Sequence, residues 1–117
     1  MTKDEINNVA KQWISLQLSG YPDDLGGDGV DVNMLAIEQP EDCWKVIIEV
    51  LNITDDEWVL VNLGAGPLES LLAMHGAVVI PWIGQEARLN KRFQILLGGV
   101  WRNSIQDDVW HQLQGMV

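Results

Sequence analysis

The side chains that most often perform chemistry are few in this chain, and none falls at a catalytic spacing. Cys43 is the only cysteine and follows Asp42; because a neighbouring acid raises the pKa of a thiol, we interpret Cys43 as a buried structural thiol rather than a nucleophile. Ser70 lacks the flanking glycines of a nucleophile elbow. His75 and His111, with a single cysteine, give no zinc spacing. We therefore predict no catalytic residue, no metal site and no cofactor, and an enzyme is the third-ranked class of function.

Clustered carboxylates and paired glycines also have structural explanations. Residues 55–57 and 107–108 are acidic, but both groups fall where a helix should begin, and acids there are stabilised by the positive end of the helix dipole. The pairs within Gly64–Gly66 and Gly98–Gly99 are too sparse for a nucleotide-binding loop, and no lysine follows the second pair. We interpret both glycine pairs as helix breaks at which two helices approach closely.

The acidic, glycine-rich segment 19–37 is the feature that most suggests binding. An EF-hand calcium loop that began at Asp24 would place Asp28 correctly at position 5, but positions 3 and 12 would be Gly26 and Leu35, which offer no side-chain oxygen. Two interpretations stay open: a solvated loop, or an acidic docking surface in a long loop of the kind that is often functional. The candidate partner-binding residues in this segment are Asp23, Asp24, Asp28 and Asp31.

Composition limits the kinds of partner. The 117 residues include 17 acids and 7 lysines and arginines, which gives a net charge of −10, and 47% are hydrophobic, as in globular proteins. Nine of the acids, against two lysines, lie in residues 1–43. Nucleic acid and anionic membranes require clustered Lys and Arg, and the one basic cluster, residues 88–92, is too small to bind them. We predict no direct nucleic-acid partner and no membrane partner, whereas a basic protein partner fits the charge.

Length and segment composition predict one domain and its compartment. A chain of this length suits a single helical domain over residues 1–117. No apolar run approaches the length of a membrane span, and the amino terminus lacks the apolar region of a signal peptide. A lone cysteine cannot form an intrachain disulfide, which agrees with a reducing compartment. We expect a cytoplasmic protein.

Apolar residues recur at helical spacing along most of the chain, so the predicted fold class is all-α: a compact bundle or short stack of six to seven helices. Capping boxes at Thr2 and Thr54, a related signal at Ser104 and a proline at Pro40 mark helix starts. The triplet Val78–Ile80 is the only β-like run and is too short for a sheet. We expect helices at 3–18, from 40, from directly after the Thr54 cap to about 64, from 67 to 76, at 77–89, at 91–100 and from about 104, with 34–37 either a helical turn or extended.

Four segments carry a resemblance: P-E-D-C-W at 40–44, N-L-G-A-G-P-L-E-S-L-L at 62–72, H-G at 75–76 and L-G-G-V-W-R-N-S at 97–104. Over about residues 38–115 the chain is similar to an uncharacterised bacterial domain family of unknown function, made of small, acidic, helical proteins. The A-G-P-L-E and L-G-G-V-W-x-N strings are fairly specific in combination. The resemblance implies a bacterial cytosolic protein and transfers no activity.

The six tryptophans are unusual beside one phenylalanine and one tyrosine. Most fall on apolar stripes, and we expect these, Trp58 and Trp101 included, to point into the core. The chain departs from the family's pattern at residues 79–84, where the family has charged residues and this chain does not. Trp82, in that segment, and Trp110 are our candidates for exposed, partner-binding tryptophans, because tryptophan is a common anchor residue at interfaces.

Together these features favour a non-enzymatic, acidic binding protein that restrains a macromolecular partner, as an immunity protein, an inhibitor or a nucleic-acid mimic does. We expect it to cover a basic active site or groove with the aspartates of segment 19–37 and nearby helix N-termini. The alternative is a homo-oligomeric structural or adaptor module, a homodimer for example, with a tryptophan-bearing apolar interface.

Overall fold

The computed structural model describes residues 1–19, 32–102 and 105–116, and these residues form helices and no strand. The predicted all-α fold is confirmed, and residues 34–37 fall in a short helix. The helices are α1 (Lys3–Ser19), α2 (Val32–Glu38), α3 (Pro40–Ile53), α4 (Glu57–Leu63), α5 (Glu69–Leu89), α6 (Phe93–Gly99) and α7 (Asp107–Gln114), with a π turn (Gly64–Leu68) between α4 and α5.

Two of the predictions lie outside the described residues. They are the four candidate aspartates, Asp23, Asp24, Asp28 and Asp31, and the helix-start signal at Ser104.

Local capping explains where several helices begin. The capping box of α1 is confirmed: the N–H of Thr2 donates to Glu5 Oε1 at 2.9 Å, and the N–H of Glu5 donates to Thr2 Oγ1 at 3.2 Å. The capping box predicted at Thr54 is wrong. Its hydroxyl accepts from the N–H of Asp56, and the Asp56 carboxylate caps α4 by accepting from the N–H of Val59 at 3.1 Å. Helix α4 therefore starts two residues later than predicted.

The helical run Glu57–Leu89 is longer than predicted. The expected break at the first glycine pair is instead the π turn Gly64–Leu68, where the N–H of Glu69 reaches back to the carbonyl of the turn's first residue. His75, with φ −137° and ψ 33°, kinks the run within α5. The predicted helix end at Gly76 is also wrong, because the helix continues beyond the kink.

Among the described residues, Glu57–Leu89 is the one stretch with the length and apolar composition of a membrane span. Half of its most apolar window is buried inside the protein. The central helix of a soluble protein has the same properties, because its apolar faces pack against neighbouring helices.

The long helical run and α6 cross at a distance that only glycine permits. A Cβ added to Gly64 would overlap the backbone carbonyl of Leu96, and a Cβ added to Gly99 would lie 2.5 Å from the carbonyl oxygen of Val61. The prediction that both glycine pairs mark a close approach of helices is confirmed. Each helix contributes one of the two glycines that the crossing requires.

The core is built of apolar side chains alone. Within the described ranges no polar or charged residue is buried, and no buried side-chain nitrogen or oxygen lacks a hydrogen-bond partner. Leu60 and Leu68 from the long run and Phe93 and Leu96 from α6 are completely buried. Any binding or chemistry by the described residues therefore has to use the surface.

The helix crossing predicts opposite effects at two adjacent glycines. Gly99→Ala should lower the free energy of unfolding by about 3 kcal/mol, because the new methyl group meets the Val61 carbonyl, which can move only with its helix. Gly98→Ala is the matched control: no atom lies within 4 Å of its added Cβ, and alanine favours the helix by about 0.5–1 kcal/mol. Urea denaturation of both variants measures the difference, and equal effects would contradict the crossing.

Candidate functional site

The side chains that could do chemistry are not brought together. Cys43 is buried in α3 as predicted, and its S–H donates to the carbonyl of Val32 at a sulfur–oxygen distance of 3.7 Å. Burial raises the pKa of this thiol to about 12, so the thiol stays protonated and unreactive at neutral pH. Nowhere in residues 1–19, 32–102 and 105–116 do three His, Cys, Asp or Glu side chains come close enough to hold a metal ion.

The two histidines have different surroundings. His75 Nε2 lies 2.9 Å from the carbonyl oxygen of Ile37, so the kink of α5 is hydrogen-bonded to the C-terminal end of α2. This contact gives His75 a packing role between the two helices. His111 is exposed on α7. Neither arrangement provides a nucleophile–base pair.

The structure corrects the predicted exposure of the tryptophans. Trp82 and Trp110, the candidates for exposure, are half-buried against the core. Trp58 and Trp101, which we expected to point inward, are 64% and 71% exposed.

The position of each helix end accounts for both errors. Because α4 begins at Glu57, Trp58 is only its second residue, and the inward positions are taken by Val59 and Leu63. Helix α6 ends at Gly99, so Trp101 lies beyond it, where helical spacing no longer decides which way a side chain points. A more accurate start for α4 would have identified Trp58. Trp101 lies beyond the predicted end of its helix as well, so the error there was to extend the helical spacing past that end.

Trp58 is exposed but held in place, and it lies among acids. Its Nε1–H donates to the carbonyl of Gln17 at 3.2 Å, which ties the ring to the C-terminal end of α1. Asp56 and Glu57, just before it in the chain, are exposed, and Leu18 beside Gln17 is 59% exposed. We call Leu18, Asp56, Glu57 and Trp58 the Trp58 surface.

Along the chain, the Trp58 surface leads directly into the acidic segment. Helix α1 ends at Ser19, and residues 20–31, which contain four aspartates and no basic residue, follow it. Asp55, in contrast, already pairs with Arg92. Asp56 caps α4 with its Oδ1 and is exposed, and Glu57 beside it is exposed as well.

A second surface lies where α3 and α5 meet, and it contains Trp82. The rings of Trp44 and Trp82 have centroids 6.0 Å apart, and Trp44 also stands edge-on to buried Phe93 at 5.8 Å. Above these rings is an open groove of about 460 Å³, which we call the Trp82 groove. Its lining consists of Glu41, Trp44, Lys45, Trp82, Gln85, Glu86 and Leu89.

Trp110 does not line this groove. It lies on α7, which packs on α5 where Val109 meets Gly76: a Cβ added to Gly76 would lie 2.8 Å from either Cγ of Val109. Of the two candidate tryptophans, Trp82 is therefore the one that lines the Trp82 groove.

The segments 62–72 and 97–104, which carried the resemblance, pack against each other. Besides the helix crossing, the N–H of Trp101 donates to Glu69 Oε1 at 2.9 Å. Of the second segment, the part up to residue 102 is described, and it makes these contacts. The shared strings thus hold the long helical run against α6, and their role in this structure is to support the fold.

Fold and composition together define a class: a small acidic protein that is all-helical in its described residues. The chain belongs to a family of unknown function, DUF6869, whose model matches residues 29–117. The predicted resemblance to an uncharacterised domain family is confirmed. No curated protein and no solved structure matches the chain.

The buried thiol predicts a pH dependence of stability. The pKa of Cys43 rises from 9.0 to about 12 on folding, so between these values the unfolded chain has lost a proton that the folded chain keeps. Stability from this group is complete below pH 9 and is lost as the pH rises, by up to about 1.4 kcal/mol per pH unit. Urea denaturation at several pH values should show the wild type losing stability relative to Cys43→Ala above about pH 9. Parallel pH curves for the two proteins would contradict it.

Proposed function

We propose that this protein is a non-enzymatic, acidic binding protein of the inhibitor or immunity type, which restrains a basic macromolecular partner. The observation that carries the proposal is Trp58: a largely exposed tryptophan, held by a hydrogen bond, next to two exposed acids, the α4 cap Asp56 and Glu57. The proposal places the protein in a bacterial cytoplasm.

The geometry of Trp58 suits an interface anchor. Tryptophan is enriched among the residues that dominate binding energy, because its ring buries a large apolar area. The hydrogen bond to Gln17 restricts the ring before binding, so less side-chain entropy is lost on association. The ring face can also accept a Lys or Arg side chain through a cation–π contact. A basic partner would meet both the ring and the neighbouring carboxylates.

The net charge supports the same kind of partner. With 17 acids against 7 basic residues, the protein attracts a cationic surface and repels nucleic acid and anionic lipid. We propose that the candidate aspartates Asp23, Asp24, Asp28 and Asp31, which follow Leu18 in the sequence, contact the same basic partner. Acids of this kind increase the association rate more than they increase the affinity.

The first step of the test is to isolate the partner. The tagged protein is used to capture a basic protein from a lysate of its source organism at about 50 mM salt, and release at about 300 mM salt is expected because salt screens exposed charge pairs. Binding kinetics are then measured with the purified partner. Trp58→Ala should raise Kd about 30-fold or more, as expected for an anchor residue worth about 2 kcal/mol.

A charge-reversal pair tests the acidic part of the surface. Glu57→Lys should slow association several-fold at low salt, whereas Asp4→Lys should not. The two variants are matched, because both replace an exposed acid in the first turn of a helix and change the net charge equally. Asp4 is remote, since Gln17 lies thirteen positions further along α1, about 20 Å of helix. Equal rates for the two variants, or a twofold effect or less from Trp58→Ala, would contradict the proposal.

A further inference from the structure

The outer side of α5 carries an exposed stripe that the Trp58 surface does not include. Val78, Trp82, Gln85 and Leu89 follow one another at steps of four, three and four residues, which places them on one face of the helix. Val78 is 54% and Leu89 is 77% exposed, and Gln85 is exposed as well. We call these four residues the α5 stripe. With Trp44 of α3 it forms one continuous surface, because Trp82, Gln85 and Leu89 also line the Trp82 groove.

This surface is electrically neutral in a protein of net charge −10. No charged residue occurs in 70–85. The charges beside the stripe are Glu41 and Lys45 on α3, with Glu86 and Arg88 at the end of α5, so two acids balance two bases.

We propose that the α5 stripe and the Trp82 groove form a two-fold symmetric interface with a second copy of this chain. In such an interface one patch meets itself, so it must either lack charge or carry both signs. The α5 stripe lacks charge, and its borders carry both signs in equal number. Gln85 fits the same requirement, because its amide both donates and accepts hydrogen bonds and can pair with its own copy.

The charge of this patch also argues against a basic partner or an anionic membrane as the molecule that covers it. A basic partner would gain nothing at a patch whose acids are already balanced by Lys45 and Arg88. An anionic membrane would need a cluster of basic residues, which the patch lacks, and would repel a protein of charge −10. Two copies that repel each other elsewhere meet with least repulsion where neither carries net charge.

The size of the surface sets the expected strength of the dimer. From Val78 to Leu89 the stripe is about 18 Å long. A standard interface takes about 800 Å² from each partner, about 12% of this protein's 6879 Å² surface. A stripe of this length on one helix, with the adjoining groove, is a small patch for such an interface, so we expect the dimer to form and dissociate with concentration.

Sedimentation measurements on the full chain test the interface. From about 1 to about 300 μM, the wild type should change from monomer to dimer. Leu89→Glu should weaken dimerisation at least about tenfold, because it buries a charge in the interface. Leu18→Glu is the matched control, an exposed leucine in the last turn of α1, and should dimerise as the wild type does. Both side chains lie on the surface, so neither change should affect folding.

A wild type that stays monomeric at all concentrations overturns the proposal. A dimer that Leu89→Glu leaves intact, or that Leu18→Glu weakens as much as Leu89→Glu does, also overturns it.

A second experiment uses Gln85→Cys with a short bismaleimide cross-linker, compared with Gln12→Cys on the exposed side of α1. Buried Cys43 does not compete for the reagent. The Gln85→Cys variant should cross-link into dimers faster than the Gln12→Cys variant; equal rates, with both thiols shown to react with a simple maleimide, contradict the interface.

Discussion

The backbone crossing between the long helical run and α6 is the constraint on which the rest of the structure depends. A side chain at Gly64 or Gly99 would collide with a carbonyl of the opposite helix, so the two backbones touch directly. This contact brings Glu69 within hydrogen-bond distance of the Trp101 N–H, which fixes how the chain leaves α6 and holds Trp101 at the surface. The π turn belongs to the same region: it lets the run stay helical through Pro67, which has no N–H to donate.

The fold could be predicted from the sequence wherever the cause is local. A capping box at Thr2 and a proline at Pro40 act through adjacent residues, so the starts of α1 and α3 are visible in the sequence. The ends predicted at the glycines of 64–66 and at Gly76 were wrong for the opposite reason. A glycine inside a helical pattern indicates either an end or a close neighbour, and the neighbours here are on α6 and α7, far along the chain.

The candidate surfaces were predictable only in part. Trp82 was a candidate because uncharged residues surround it, and it does line a groove. Trp58 was missed because its direction depends on the cap of its helix. With Thr54 as the cap, Trp58 would be the fourth residue of the helix, where an apolar side chain packs back on the chain before it. With Asp56 as the cap it is the second, in the exposed first turn. A shift of two residues in one cap thus turns a core residue into an interface candidate.

The acidic Trp58 surface and the neutral α5 stripe lie on different parts of the molecule, so the two proposed contacts do not compete for the same residues. The Trp58 surface lies at the C-terminal end of α1, whereas the Trp82 groove continues into a hollow beside Met1 and Lys3 at the other end of that helix. The helix has 17 residues, so about 25 Å lies between its ends, more than the roughly 8 Å over which charges act at physiological salt. Two copies joined at the neutral α5 stripe would therefore keep both Trp58 surfaces free. A partner with two basic sites could then bind both at once, and the second contact would gain from the high effective concentration set by the first. Acidity and self-association are thus compatible properties, because they use different parts of the surface.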